Sequence, residues 1–189
     1  MRKSEQRDWK LPAFGEFCPS PIDWAMMAAY LDGEGSILIN PRRSRVKAGP
    51  QPYASLPATL YLKITVANCD VRLMVWLKQK FGGCYRDANT EKYYEGKNWK
   101  RSWHWSASAN CAAWVLYNCL QHFVLKREQA EIGIALQESM GKFVRGTGNG
   151  CLPLELVEER RELKCRLLVL KAKGRVMEDS QAQRIEEVS

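Results

Sequence analysis

Two carboxylates set among glycines, Asp32 and Glu34 in the stretch MMAAYLDGEGSI (26–37), are the residues of this chain whose type and spacing best suit chemistry. They follow a run of small residues with helical character. They therefore fall where the last unpaired carbonyls of a helix point and where its macrodipole is negative. Carboxylates there raise the local energy and call for a compensating positive charge. A divalent cation is one such charge, because carboxylate plus backbone carbonyl is the ligand set that hard, oxygen-seeking metals prefer. The stretch alone is equally the signature of a helix that packs tightly and stops at a glycine cap. Ala25, Ala28, Ala29 and Asp32 recur at spacings of three and four, which leaves a stripe nearly bare of side chains along which another backbone can approach closely.

The whole chain has 189 residues, 46% of them hydrophobic and 10% aromatic, which suits one globular domain with an appendage. Its 29 Lys and Arg against 21 Asp and Glu give a net charge of +8, so a polyanion is the expected partner, nucleic acid ahead of a membrane surface. Seven cysteines form no CxxC pair, and their odd number fits free thiols in a reducing compartment. His104 and His122, without a cysteine pair, make no zinc signature. The N-terminal stretch lacks an apolar signal core, and no apolar run approaches the roughly 20 residues of a membrane helix. The expectation is a soluble intracellular protein with no membrane partner, in an organellar, bacterial or phage-encoded setting that the residues do not distinguish.

Elements that would position the carboxylates can be read from periodicity. An N-terminal arm (1–20) precedes a helix over 22–32 that Pro21 opens and Gly33 and Gly35 stop, and a strand begins at Ser36–Asn40. Residues 41–58 hold four prolines and four basic residues, an irregular excursion before an alternating strand at 60–68. Apolar positions 71, 73, 74, 77 and 81 predict a helix over 70–81 that ends at Gly82–Gly83. Strands at 84–87 and 100–107 and helices at 110–123 and 126–138 follow. Residues 139–152 form a Gly-rich link whose glycines lack phosphate-loop spacing. A last helix starts at Pro153, with Leu156, Leu163, Leu167 and Leu170 on one face. Leu38, Asn40 and Arg42 share one strand face, and Tyr61, Lys63 and Thr65 share another. For 100–107 the residues do not fix the parity, with Trp103 and Trp105 reading as core and His104 as outward.

At this point the chain resembles a known family. Met27-Ala-Ala-Tyr-Leu-Asp-Gly-Glu-Gly35 resembles the nine-residue motif of the LAGLIDADG homing endonucleases, continuing through Ser36-Ile37. Residues 60–83 resemble that family's second strand and following helix, and 123–130 its later Leu-Lys-x-x-Gln-Ala segment. The resemblance spans about 21–138. Ala29 departs from it where the motif has glycine, and His122 where many members have proline.

What the resemblance implies is an α+β fold, an αββαββα saddle whose antiparallel β-ribbons meet DNA, with 21–138 as the core and 139–189 as a link and extra C-terminal helix. It implies a homodimer, since only one motif is present, packed along Ala25, Ala28 and Ala29. It implies cleavage of double-stranded DNA at a long, near-palindromic site, one phosphodiester per strand, by an enzyme of the intron-encoded type. Glu34 would bind magnesium, with manganese able to substitute, and the Gly33 carbonyl would be a second ligand. Asp32 would shape the helix end, and Lys126 falls at the catalytic lysine position. Contacts to DNA would come from Ser36, Leu38, Asn40, Arg42, Arg43, Arg45 and Lys47 on one side, and from Tyr61, Lys63, Thr65, Lys97, Lys100, Arg101 and His104 on the other. Val66, Ala67 and Asp70 stand where relatives often carry polar or basic residues. That leaves open a DNA-binding protein with weak or lost cleavage, or an intron RNA maturase on the same fold.

Overall fold

The computed structural model describes residues 17–41, 60–89, 91–141 and 153–172, without the side chains of 91 and 92. Arg42, Arg43, Arg45 and Lys47, residues 142–152 of the expected Gly-rich link and the chain after 172 lie outside these residues, while 139–141, expected in that link, are the end of a helix.

Helix α1 (Pro21–Gly33) starts as its sequence dictates. Ser20 caps it, its hydroxyl accepting from the Asp23 amide at 3.2 Å while Asp23 accepts from the Ser20 amide at 2.8 Å, and Pro21 occupies the first turn. Asp23 also pairs with Lys80 at 3.0 Å, tying the start of α1 to the end of α2 (Val71–Phe81). Strands β1 (Gly35–Pro41), β2 (Leu60–Asn68), β3 (Cys84–Asp87) and β4 (Trp103–Ser108) form one antiparallel sheet in the order β1-β2-β4-β3. A four-residue helix α3 (Glu91–Tyr94) interrupts the β3–β4 connection, and α4 (Ala109–Cys119), α5 (Arg127–Gly141) and α6 (Leu154–Ala172) complete the chain.

The sheet is one-sided. Ile37, Ile39, Leu62, Ile64, Val66, Trp105 and Ala107 point to the helices and are buried with Met27, Leu31, Met74, Leu77, Phe81, Leu116 and Leu136. Alternate residues face away from every helix, the pattern of an antiparallel sheet with one packed face. Trp105 fixes the parity of β4 that the sequence left open, because its indole nitrogen donates to the Gly82 carbonyl at 2.9 Å inside the core. Gly35 permits the turn from α1 into β1, where a Cβ would lie 2.5 Å from the Leu31 Cα. Leu163 and Leu167 of α6 join the same core, and Arg160 reaches from α6 to the Ser139 carbonyl at 2.7 Å.

Two helix boundaries differ from the periodicity. The helix expected over 110–123 ends at Cys119 in a short 3-10 turn (Leu120–His122), and α5 begins at Arg127. Residues 123–126 leave the helical path, and the backbone amides of 124–126 are engaged elsewhere, as described below. Among the described residues no helix is long and apolar enough to cross a membrane.

Candidate metal centre and nucleic-acid interface

The two motif carboxylates have different surroundings. Asp32 is fully engaged: one oxygen accepts from the amides of Val124 at 2.8 Å and Leu125 at 3.2 Å, and the other from the amide of Lys126 at 2.9 Å. It holds the three residues that lead into α5, satisfying backbone amides that no helix pairs. The Lys126 side chain returns the favour. Its ammonium donates to the carbonyls of Leu31 at 2.6 Å and Asp32 at 2.9 Å in the last turn of α1 and of Gly35 at 2.8 Å at the start of β1, so its three donors span the turn from α1 into β1. The positive charge that the end of α1 calls for is therefore present within the chain. Burial pushes the Lys126 ammonium below the ordinary lysine range, an effect that Asp32 opposes.

Glu34 is left open. Its amide closes α1 on the Tyr30 carbonyl at 2.9 Å, and its side chain is exposed, with one oxygen accepting from the Asn68 amide group at 2.8 Å. Asn68 is itself held, since its carbonyl oxygen accepts from the Asp70 amide at 2.9 Å. Among the described residues no cation lies within ion-pair distance of Glu34, and no cluster of three or more His, Cys, Asp or Glu forms a closed metal site. A carboxylate steered by one hydrogen bond, with an oxygen still available at the negative end of a helix, suits a magnesium-type ion that keeps several waters and takes few protein ligands. The Gly33 carbonyl is not among the three that Lys126 occupies.

Further along, Asp70 caps α2 through the Arg72 amide and pairs with the Arg72 guanidinium, which holds the Asp70 carboxyl down to about 2. Lys171, in the last turn of α6, is pushed down by burial and by the like charge of Lys126, which puts a second cation in the field of this site. Sequence reasoning missed it, because the antiparallel return of α6 along α5 is a tertiary fact.

The bare face of the sheet runs away from Glu34. Strand register sets its side chains in rows: Ser36, Thr65, Ser106 and Cys84; then Leu38, Lys63 and Ser108; then Asn40 and Tyr61; and on the other side Ala67, His104 and Arg86. The sequence put Leu38 and Asn40 on one strand face, Tyr61, Lys63 and Thr65 on another and His104 outward, the resemblance made Ser36 a DNA contact, and all seven share this one face. Arg86 and Ser106 were not singled out; Ser106 follows by parity once Trp105 is core, whereas Arg86 needs the β3–β4 register. Lys97, Lys100 and Arg101 are exposed in the β3–β4 connection, with Arg101 3.9 Å from Asp87.

One expectation for α1 needs correction. Ala28 is buried in the core of its own chain, not on a free stripe. Met27 and Leu31 set the direction of the packed face, and Ala28 lies on its flank. The exposed row is instead Ile22, Ala25, Met26 and Ala29, with Ile22 71% and Met26 41% exposed.

This assembly, a capped helix ending in an open carboxylate beside the bare face of a four-stranded antiparallel sheet, is the LAGLIDADG homing endonuclease fold. The sequence resemblance to that family thus holds at the level of structure. No protein-family model matches the chain, and no curated protein sequence does. Among solved structures it is similar to the homing endonuclease I-CvuI in complex with its target in the presence of calcium (16% identity, TM-score 0.57, 88% of this chain and 92% of that one). It is also similar to the archaeal intron-encoded homing endonuclease I-Vdi141I complexed with DNA (11% identity, TM-score 0.59, 87% and 94%). A third is I-SmaMI bound to uncleaved DNA target in the presence of calcium ions (15% identity, TM-score 0.54), where 86% of this chain spans 47% of the other.

Proposed function

We propose that this chain is a site-specific DNA endonuclease of the homing type, acting as a homodimer with magnesium. The observation that carries the reading is Glu34, the one motif carboxylate left unneutralised, at the edge of a sheet face whose exposed hydroxyl, amide and cationic groups match what a DNA major groove offers. Two copies packed along the exposed row of α1 would bring two Glu34 side chains together. Unit charges at 4 Å repel by about 4 kcal/mol at an effective dielectric near 20, so such a pair draws in divalent cations. Magnesium there would be held by Glu34 with the Gly33 carbonyl, and when bound it would supply activation of water and stabilisation of the leaving oxygen. Asn68 orients the carboxylate. Lys126 and Lys171 add positive potential where a phosphate would approach. The match of this chain to about half of I-SmaMI, and to nearly all of I-CvuI, supports a two-copy assembly.

A second reading is supported by the state of the cations. Lys126 has all three donors on carbonyls, so it has none free for a phosphate without letting go of a partner, and the charge of Arg72 is paired with Asp70. On that reading the chain binds DNA with weak or lost cleavage, or binds intron RNA. The test is to incubate the protein and magnesium with a duplex library randomised over a twofold-symmetric window and to sequence the ends produced. One recurrent, near-palindromic site cut on both strands is the expected result. Bound but intact duplexes would favour the second reading.

A further inference from the structure

Several cations among the described residues face a carboxylate: Lys80 faces Asp23, Arg72 faces Asp70, Arg101 faces Asp87 and Arg127 faces Glu131. Lys97 is held differently. Its ammonium lies 4.5 Å from the ring centroid of Tyr93 and 4.5 Å from that of Trp99, whose rings are 5.6 Å apart and tilted by 54°. Ring faces attract an ammonium through their quadrupoles and leave its net charge intact. No carboxylate of the described residues lies within ion-pair distance of it. The rings themselves are open to solvent, Trp99 57% and Tyr93 43% exposed.

The clamp sits on a stiff support. The Tyr94 hydroxyl lies 3.1 Å from the Ser102 amide, 3.3 Å from the Asn89 side-chain amide and 3.4 Å from an Asp87 carboxylate oxygen, which joins both arms of the β3–β4 connection. The Lys97 amide donates to the Tyr94 carbonyl at 3.0 Å, and the Ala88 amide to the Ser102 carbonyl at 2.8 Å. Gly96, with φ +70, supplies the left-handed residue that lets the chain fold back on Tyr94. The connection extends from the edge pair of the sheet, just beyond the outward row of Arg86 and His104.

We propose that Tyr93 and Trp99 are positioning residues that hold the Lys97 ammonium, uncompensated, for one backbone phosphate of duplex DNA beyond the segment that the sheet face meets. This rests on the DNA reading of the sheet and adds to it a specific anchor. An exposed lysine ordinarily loses side-chain freedom when it grips a phosphate, and a lysine already resting against two adjacent rings loses less. Phosphate contacts of this kind set register and carry no sequence information of their own.

The test measures binding of the full chain to a mixed-sequence duplex as salt is raised. Lys97→Met should lower the slope of log affinity against log salt by about 0.9 per copy, the share of one phosphate. Trp99→Leu should keep the wild-type slope and weaken binding by about 2- to 5-fold, the equivalent of an exposed cation–π contact of about 0.5–1 kcal/mol, and Trp99→Phe should restore affinity. A Lys97→Met protein with wild-type slope and affinity, beside a wild type that binds with a steep salt dependence, overturns this inference alone. A wild type that binds duplex without salt dependence overturns the DNA reading, and the anchor falls with it.

Discussion

Asp32 and Lys126 form a reciprocal lock between the end of α1 and the start of α5. The carboxylate serves three amides of the residues that lead into α5, and the ammonium serves three carbonyls across the turn from α1 into β1. Each side chain thus answers the backbone groups around the other. Lys126→Met removes the donor to all three carbonyls at once, and leaving buried acceptors without partners costs about 1–3 kcal/mol. A urea titration should show the midpoint falling by that equivalent with an unchanged slope. A midpoint at the wild-type value would mean that water replaces the ammonium without loss, and that Lys126 is no structural cap. Any loss of cleavage in this variant must be read beside its stability, whereas Glu34 is exposed and its replacement leaves the lock untouched.

Among the elements, α2 carries the clearest pH signature. Arg72 and the helix-capping bond hold Asp70 at about 2, below the ordinary 3.8. A depressed carboxylate contributes stability that is fully present above its unfolded value and lost as the pH falls through its folded value, here between about 4 and about 2. Asp70→Asn should therefore flatten the acid limb of the stability curve in that window while leaving the curve above it parallel to wild type; an acid limb of unchanged steepness would assign that loss to other carboxylates. The elements themselves were largely legible in the sequence: Pro21 opens α1, Gly82 ends α2, and alternation gives β2, whereas the Ser20–Asp23 capping box and the Asp70 cap were not singled out. What local pattern did not carry was direction and partner. Whether Ala28 faces in or out depends on where Met27 and Leu31 find the sheet. The bond from Asn68 to Glu34 joins residues far apart in sequence, and so do those from Lys126 to the end of α1. The Tyr94 hub lies in a connection whose charge and aromatic content read only as a basic loop.

At the scale of the whole molecule, the proposed endonuclease reading makes one chain half of what cleavage of both strands requires. The exposed row Ile22, Ala25, Met26 and Ala29 continues into Val124 and Leu125, which are 84% and 74% exposed and hang from Asp32 at the end of α1. An apolar strip of this kind beside an unneutralised carboxylate suits a twofold contact. The protein should sediment as a dimer at micromolar concentration, and Ala29→Glu, which sets like charges across the axis, should yield folded monomer. A wild type that stays monomeric up to high concentration would remove the basis for a paired centre. The most direct measurement uses the duplex recovered from the cleavage library, labelled on both strands and saturated with wild-type or Glu34→Gln protein in the presence of magnesium. Glu34→Gln keeps the shape and the Asn68 contact and removes the charge, so binding should persist while double-strand breakage, present with wild type, falls by orders of magnitude. Equal breakage by the two proteins, or tight binding by both with no breakage in magnesium or manganese, would contradict the assignment of Glu34 as the metal-holding carboxylate of a DNA endonuclease.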